Sequence, residues 1–194
     1  YSGGWGRCGF DLSGYAGQRV RLSFFHYEYY EDRSGTWHNY QDRGWYIDEV
    51  GIEVRPVVVL EGLEDFEDGW HGWTASHGVW QIGEPTSGPG SAHSGSRVAA
   101  TGLAGNYPYE TDSRLISPVI DLPTLERGDE IVLRFWQWYV YQAADYGAVN
   151  IQVHDGTSSP GLQSKALQGL LNPFGGEGLE LLLGQAGPLK VEEA

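Results

Sequence analysis

The run Phe24-Phe25-His26-Tyr27-Glu28-Tyr29-Tyr30, followed by Trp37 and Tyr40, sets flat rings beside Asp32, Arg33, His38 and Asn39. Sugar recognition uses that combination, because the CH face of a pyranose stacks on a ring while polar side chains read its hydroxyls. Tyr27, Tyr29, Tyr30, Trp37 and Tyr40 are therefore the candidate ligand-binding residues. Residues 31–43 read as a long loop, where recognition commonly resides. The competing reading is structural: rings that alternate along a strand are mostly core, and a similar cluster runs from Phe135 to Tyr141.

Catalytic chemistry has little to stand on. The six histidines form no His-Glu-x-x-His pair, so the zinc-peptidase helix is absent. No Gly-x-Ser-x-Gly elbow occurs, and the sole cysteine, Cys8, has no recognisable partner motif. The glycine-rich stretch 83–95 lacks the Lys-Ser/Thr ending and following helix of a phosphate cradle. The 26 acidic residues leave chance carboxylate pairs open for glycoside hydrolysis. The expectation is a protein that is not an enzyme.

Lys and Arg number 12 against those 26 acids, a net charge of −14. Such a field repels phosphate backbones, which argues against a nucleic-acid partner. It attracts cations, and clustered carboxylates are the usual calcium ligands, although solubility alone explains most acidic surfaces. Within 194 residues, 40% are hydrophobic and 13% aromatic, enough for a sizeable core. With one cysteine no disulfide closes inside the chain. No stretch approaches the roughly 18 apolar residues of a membrane helix. The sequence has no methionine, shows no signal peptide and opens in mid-pattern at Tyr1, so it is expected to be a piece of something longer.

Strands must position these groups. Val20, Leu22 and Phe24 alternate with Arg19, Arg21 and Ser23; Ile131, Leu133 and Phe135 alternate with Val132, Arg134 and Trp136; Val149, Ile151 and Val153 alternate with Asn150, Gln152 and His154. A period of two buries one face of a sheet. Residues 45–54 are rich in β-branched and aromatic types, and residues 83–95 hold four glycines, two prolines and three serines, which is turn chemistry. No sustained period of 3.6 occurs before about residue 160. After Gly156 the aromatics nearly vanish, and residues 157–194 read as a tail or linker.

Two groups of motifs carry a resemblance. One runs from Phe66-Glu67-Asp68-Gly69-Trp70 through Val79-Trp80-Gln81-Ile82-Gly83, His93-Ser94-Gly95 and Ser113-Arg114-Leu115-Ile116-Ser117-Pro118 to Ile120-Asp121-Leu122. The other joins Asp11-Leu12-Ser13-Gly14-Tyr15 to Gly44-Trp45-Tyr46-Ile47-Asp48-Glu49-Val50. Together they resemble the jelly-roll modules of secreted bacterial proteins: MAM-like, cleaved-adhesin-like and immune-inhibitor-A-associated domains. In that family the Phe-Glu element opens the domain and the Tyr-Ile-Asp element closes it; here the order is reversed. Either the chain spans two repeats, or residues 1–156 form one composite, permuted domain (closing half 1–54, joint 55–65, opening half 66–156). The composite reading is the one adopted, since neither half alone can bury both faces of its sheet.

The resemblance implies an antiparallel jelly-roll β-sandwich with a short irregular C-terminal tail. It further implies a structural calcium ion (Ca2+) where Glu67 and Asp48 meet on neighbouring strands. The loop at His93, Ser94 and Gly95 would donate carbonyls, and Asp112 is a further candidate ligand. Strand alternation points Glu49 away from Asp48. The function expected is a non-catalytic module of a secreted or cell-surface protein, serving adhesion, anchoring or support of a neighbouring catalytic domain. Its partners would be neighbouring domains, glycans or cell-surface proteins; the alternative is a carbohydrate-binding module.

Overall fold

The computed structural model describes residues 3–27, 42–55, 58–59, 64–109, 111–141, 145–153 and 164–165. Within them the chain is all-β and antiparallel, in two six-stranded sheets, with one 3-10 turn at Ser13–Tyr15. The strands are β1 Gly6–Asp11, β2 Arg19–Tyr27, β3 Gly44–Arg55, β4 Val58–Val59, β5 Thr74–Ser76 and β6 Gln81–Gly83. They continue with β7 Val98–Ala100, β8 Asp112–Ile116, β9 Ile120–Asp121, β10 Glu130–Val140, β11 Tyr146–Val153 and β12 Ser164–Lys165.

The first sheet has the order β1-β10-β3-β7-β6, with β4 beside β3. The second has the order β12-β11-β2-β8-β5, with β9 beside β2. Both sheets thus draw strands from before and after Pro56. From the stretch after Gly156, only Ser164 and Lys165 lie among the described residues, and they pair with Gln152 and Ile151.

Alternation sets the packing. Val20, Leu22 and Phe24 of β2 are buried, and so are Ile131, Leu133 and Phe135 of β10 and Val149 and Ile151 of β11. They meet Trp45, Ile47, Val50 and Ile52 of β3 in one core. Each such side chain contributes roughly 1.5–3 kcal/mol when fully buried. Phe24 sits at the centre, its ring edge-on to Phe135 at 5.0 Å and to Trp45 at 5.7 Å. The period of two also carries His26 inward, where it is fully buried.

A smaller cluster lies on the other face of the first sheet. Tyr46, Val98, Ala100 and Trp138 pack together there, with Trp5, Ala92 and Leu103 against them. The glycine-rich connection between β6 and β7 arches over this face. Gly88 (φ +63°) lies against the Tyr46 ring so closely that a Cβ would come within 2.4 Å of it, which leaves room for no other residue type.

Candidate functional site

The arch over the first sheet is held by two acids. Asp48, on the same face of β3 as Tyr46, is fully buried beneath it. Its Oδ2 accepts the backbone N–H groups of His93 at 2.9 Å and Ser94 at 3.1 Å, and its Oδ1 accepts that of Glu49 at 2.8 Å. Glu67 reaches the same arch one step further on. Its Oε1 accepts the N–H groups of Ser96 at 2.8 Å and Arg97 at 2.7 Å, and its Oε2 accepts the Ser96 hydroxyl at 3.1 Å. Gly95 lies between the two grips with φ +59°, and a Cβ there would come within 2.4 Å of Glu67 Oε1.

The two carboxyls respond in opposite directions. Burial pushes Asp48 up from 3.8 to about 6, against the pull of the Ser94, Glu49 and His93 amides. At Glu67 the Arg97 and Ser96 N–H groups prevail and hold the carboxyl below its usual range.

Strict alternation fails at Glu49. β3 carries a bulge, with Trp136 opposite Asp48 and Arg134 opposite Gly51, so that Glu49 and Val50 together face Phe135. Glu49 has φ +50°. The bulge turns its carboxylate to His93, whose Nδ1 lies 2.7 Å from Oε2. The His93 ring stacks on Trp136 at 3.9 Å, and Trp5 meets His93 edge-on at 5.9 Å. A shallow groove beside this stack is lined by Arg7, Glu49, Arg134, Phe135 and Trp136. Sequence reasoning missed this arrangement, because a bulge leaves no mark in the pattern of residue types.

Of the expected metal residues, Asp48, Glu67, His93 and Ser94 come together at the arch. Asp112 does not join them. It stands in the second sheet opposite Tyr27, 3.3 Å from Arg114 and 4.0 Å from His77. His93 and Ser94 present amide hydrogens to Asp48, not carbonyls. Among the described residues no three His, Cys, Asp or Glu side chains gather closely enough to hold a metal ion. An ionised carboxylate has about four lone-pair sites. After the bonds above, Asp48 Oδ1 and Glu67 Oε2 each retain one. Each carboxylate therefore keeps one acceptor site, whereas a calcium ion needs six to eight oxygens and His93 and Ser94 turn amide hydrogens, not carbonyls, towards Asp48.

Of the expected sugar-binding residues, Tyr29, Tyr30, Trp37 and Tyr40 lie outside the described residues. Tyr27 is half-buried, its ring 6.0 Å from Phe25 and 5.4 Å from Tyr146. The Arg114 guanidinium lies 4.6 Å above Phe25. In the companion stretch, Phe135, Trp138 and Tyr141 are buried, so the structural reading holds for them.

A buried polar cluster also escaped the sequence reading. The His26 ring packs on Tyr107 at 4.7 Å and Tyr141 at 5.5 Å, and the Tyr107 hydroxyl bonds the Asp145 carboxylate. Neither His26 nitrogen has a hydrogen-bond partner among the described residues, and burial lowers its pKa from 6.5 to about 3. Its place on the inward period of β2 was the available signal.

No helix among the described residues is long and apolar enough to cross a membrane. No family model and no solved structure matches the chain. Bacillopeptidase F of Bacillus subtilis (strain 168) is 33% identical over 105 residues, which is 53% of this chain and 7% of that protein. The chain spans less than a tenth of the length of this relative, and it is similar to a small part of a protein named as a peptidase.

Proposed function

We propose that this chain is a non-catalytic accessory module of a larger exported protein of peptidase type, acting to support or present neighbouring domains. The observation that carries the reading is the similarity to Bacillopeptidase F, confined to 7% of that protein and so leaving most of its length outside the match. The fold proposed is a jelly roll, with residues 1–156 as one composite body in which the closing half comes first. Asp48 and Glu67 fix the arch, and a calcium ion sharing their remaining lone pairs adds to that support. It would supply the positive charge missing beside Asp48, a buried carboxylate that has amide partners but no basic one among the described residues.

The test is direct. The purified full chain is incubated with casein and a panel of peptide substrates. No turnover is expected; proteolysis that co-purifies with the folded chain would overturn the assignment.

Carbohydrate binding is a second reading, favoured by the cluster of Phe25, Tyr27 and Tyr146 beside Arg114 and Asp112. Rings flanked by an ion pair suit a sugar face and its hydroxyls. A glycan array with the folded chain decides it: signal lost in Tyr27→Ala supports this reading, and no signal above background removes it.

A further inference from the structure

Residues directly opposite one another in a sheet share a face. On the face of the first sheet that turns away from the main core, the register of β1, β10 and β3 lays side chains out in rows. Arg7, Trp136 and Asp48 form one row, Gly9, Arg134 and Gly51 the next, and Asp11, Val132 and Glu53 the one after. Successive rows stand about 7 Å apart along the strands. Arg134 is thus the only side chain of the middle row. Gly51 is buried, whereas Gly9, on the edge strand β1, is half-exposed.

The chain's own packing does not call for glycine at position 9. Its φ is not positive, and a Cβ there would meet Val132 Cγ1 at 3.6 Å and the Leu133 carbonyl oxygen at 3.7 Å, which is ordinary contact. Glycine within a strand weakens it, and it marks places where a ligand or another backbone comes close.

The groove beside the His93–Trp136 stack sits between the first two rows. Arg7 and Trp136 of one row and Arg134 of the other line it, together with Glu49. Its donors outnumber its acceptors. Arg134 Nε lies 2.7 Å from Glu53 Oε1, and Arg7 Nη2 lies 3.9 Å from Glu53 Oε2, so one carboxylate serves both guanidiniums. Each guanidinium carries five N–H donors in a planar fork. Among the described residues no other acid pairs with either arginine, and Glu49 is turned to His93. The surplus donors suit a further oxyanion, and the fork matches carboxylate or phosphate. A phosphate would set a double charge against Glu49 and Glu53, whereas a carboxylate sets one.

A ring borders the same space. Trp136 is half-buried, with His93 stacked on it at 3.9 Å, and its indole lines the groove. The CH face of a sugar stacks on such a ring, and sugar hydroxyls donate to carboxylates such as Glu49. A sugar that itself bears a carboxylate meets the ring, the acid and the arginines at once.

We propose that this groove binds a uronic acid unit of an acidic glycan, with its carboxylate on Arg7 and Arg134, its CH face on Trp136 and a hydroxyl on Glu49. The inference does not rest on the accessory-module reading. It is also separate from the cluster of Phe25, Tyr27 and Tyr146, which belongs to the second sheet.

Calorimetric titration of the full chain, in chelator, with oligomers of galacturonate, glucuronate and mannuronate tests it. Binding of at least one is expected, weakened about tenfold or more when its carboxylates are methyl-esterified. Arg7→Gln removes a charge and Gly9→Leu fills the bare row. Each, once shown to melt like wild type, should weaken binding by about the same factor. Tyr27→Ala should leave it unchanged. The proposal is overturned if no uronate oligomer binds, if the methyl ester binds as well as the acid, or if Tyr27→Ala abolishes binding that Arg7→Gln and Gly9→Leu retain. Equal affinity for a short polyglutamate peptide would overturn the sugar assignment.

Discussion

Asp48 and Glu67 grip consecutive pairs of amides on either side of Gly95, one from beneath the arch and one from its rim. The two grips differ in worth. Asp48→Ala strands three N–H groups and is expected to cost about 2–3 kcal/mol by urea denaturation, after allowing for the relief of a buried charge. Glu67→Ala acts where water replaces the lost acceptor and should cost about 1 kcal/mol. An Asp48→Ala midpoint equal to wild type would show that the arch is held by something else.

Gly95→Ala tests the same grip from the loop side. The new methyl group meets Glu67 Oε1, and φ +59° disfavours any side chain. A loss of about 1–3 kcal/mol is expected. Combined with Glu67→Ala, the two losses should fall short of additivity, because both break one contact. Full additivity would separate Gly95 from Glu67.

His26 sets an acid limit. Its folded pKa of about 3 lies below the ordinary 6.5. Between these values the unfolded chain binds a proton that the folded chain does not. Stability therefore falls as pH drops through 6.5 and stops falling near 3, on the order of 1 kcal/mol per pH unit. Asp48 works in the opposite sense: its carboxyl is raised to about 6, so its burial penalty is relieved as pH falls from 6 towards 3.8. Comparing wild type with His26→Phe from pH 7 to 4 isolates the histidine. Parallel curves would mean that His26 does not titrate on unfolding.

Calcium should act weakly. A site of extracellular type binds at roughly 10⁻⁴ to 10⁻³ M. Near millimolar ion it then adds about 0.4–1.4 kcal/mol. Thermal melts with calcium and with chelator measure this, and Asp48→Asn and Glu67→Gln should each abolish the shift. Identical melts, with no metal found by elemental analysis, would remove the ion and leave the amide grips intact.

Cys8 should be a slow thiol. Burial pushes it up from 9.0 to about 12, despite a hydrogen bond from Gln137. At pH 8 its thiolate fraction is about a thousandfold below that of a free cysteine, so alkylation should report unfolding rather than direct attack. Labelling of the native chain as fast as of a free thiol would contradict its burial.

The regular parts of this structure were legible residue by residue. Val20, Leu22 and Phe24, and Ile131, Leu133 and Phe135, alternate in sequence and are buried in the fold, because a pleat offers only two faces. The stretch 45–54 lies within β3, and the turn-rich stretch 83–95 forms the arch. Asp48 and Glu67 were named through a resemblance, and the structure does bring them to one loop. The polarity of that loop was not legible, since whether a backbone offers carbonyls or amides depends on dihedral angles rather than residue types. The turn of Glu49 towards His93 depends on a bulge, which is an extra residue in a register that one strand cannot reveal. Asp112 went to the other sheet because its strand pairs with β2.

β1 finds its partner 131 positions downstream, Gly6 opposite Gln137. On a ribosome adding roughly 5–20 residues per second, that partner arrives about 7–26 seconds after β1 is made. For most of that interval β2 also has no ladder to join, because its first partner in the chain, β8, begins only at Asp112, so the nascent chain stays open and sticky. A molecule built this way cannot fold as it emerges. These strands must be kept from their neighbours until β10 and β11 have been made, so the yield depends on what happens to the open chain in that interval and not on the order of synthesis.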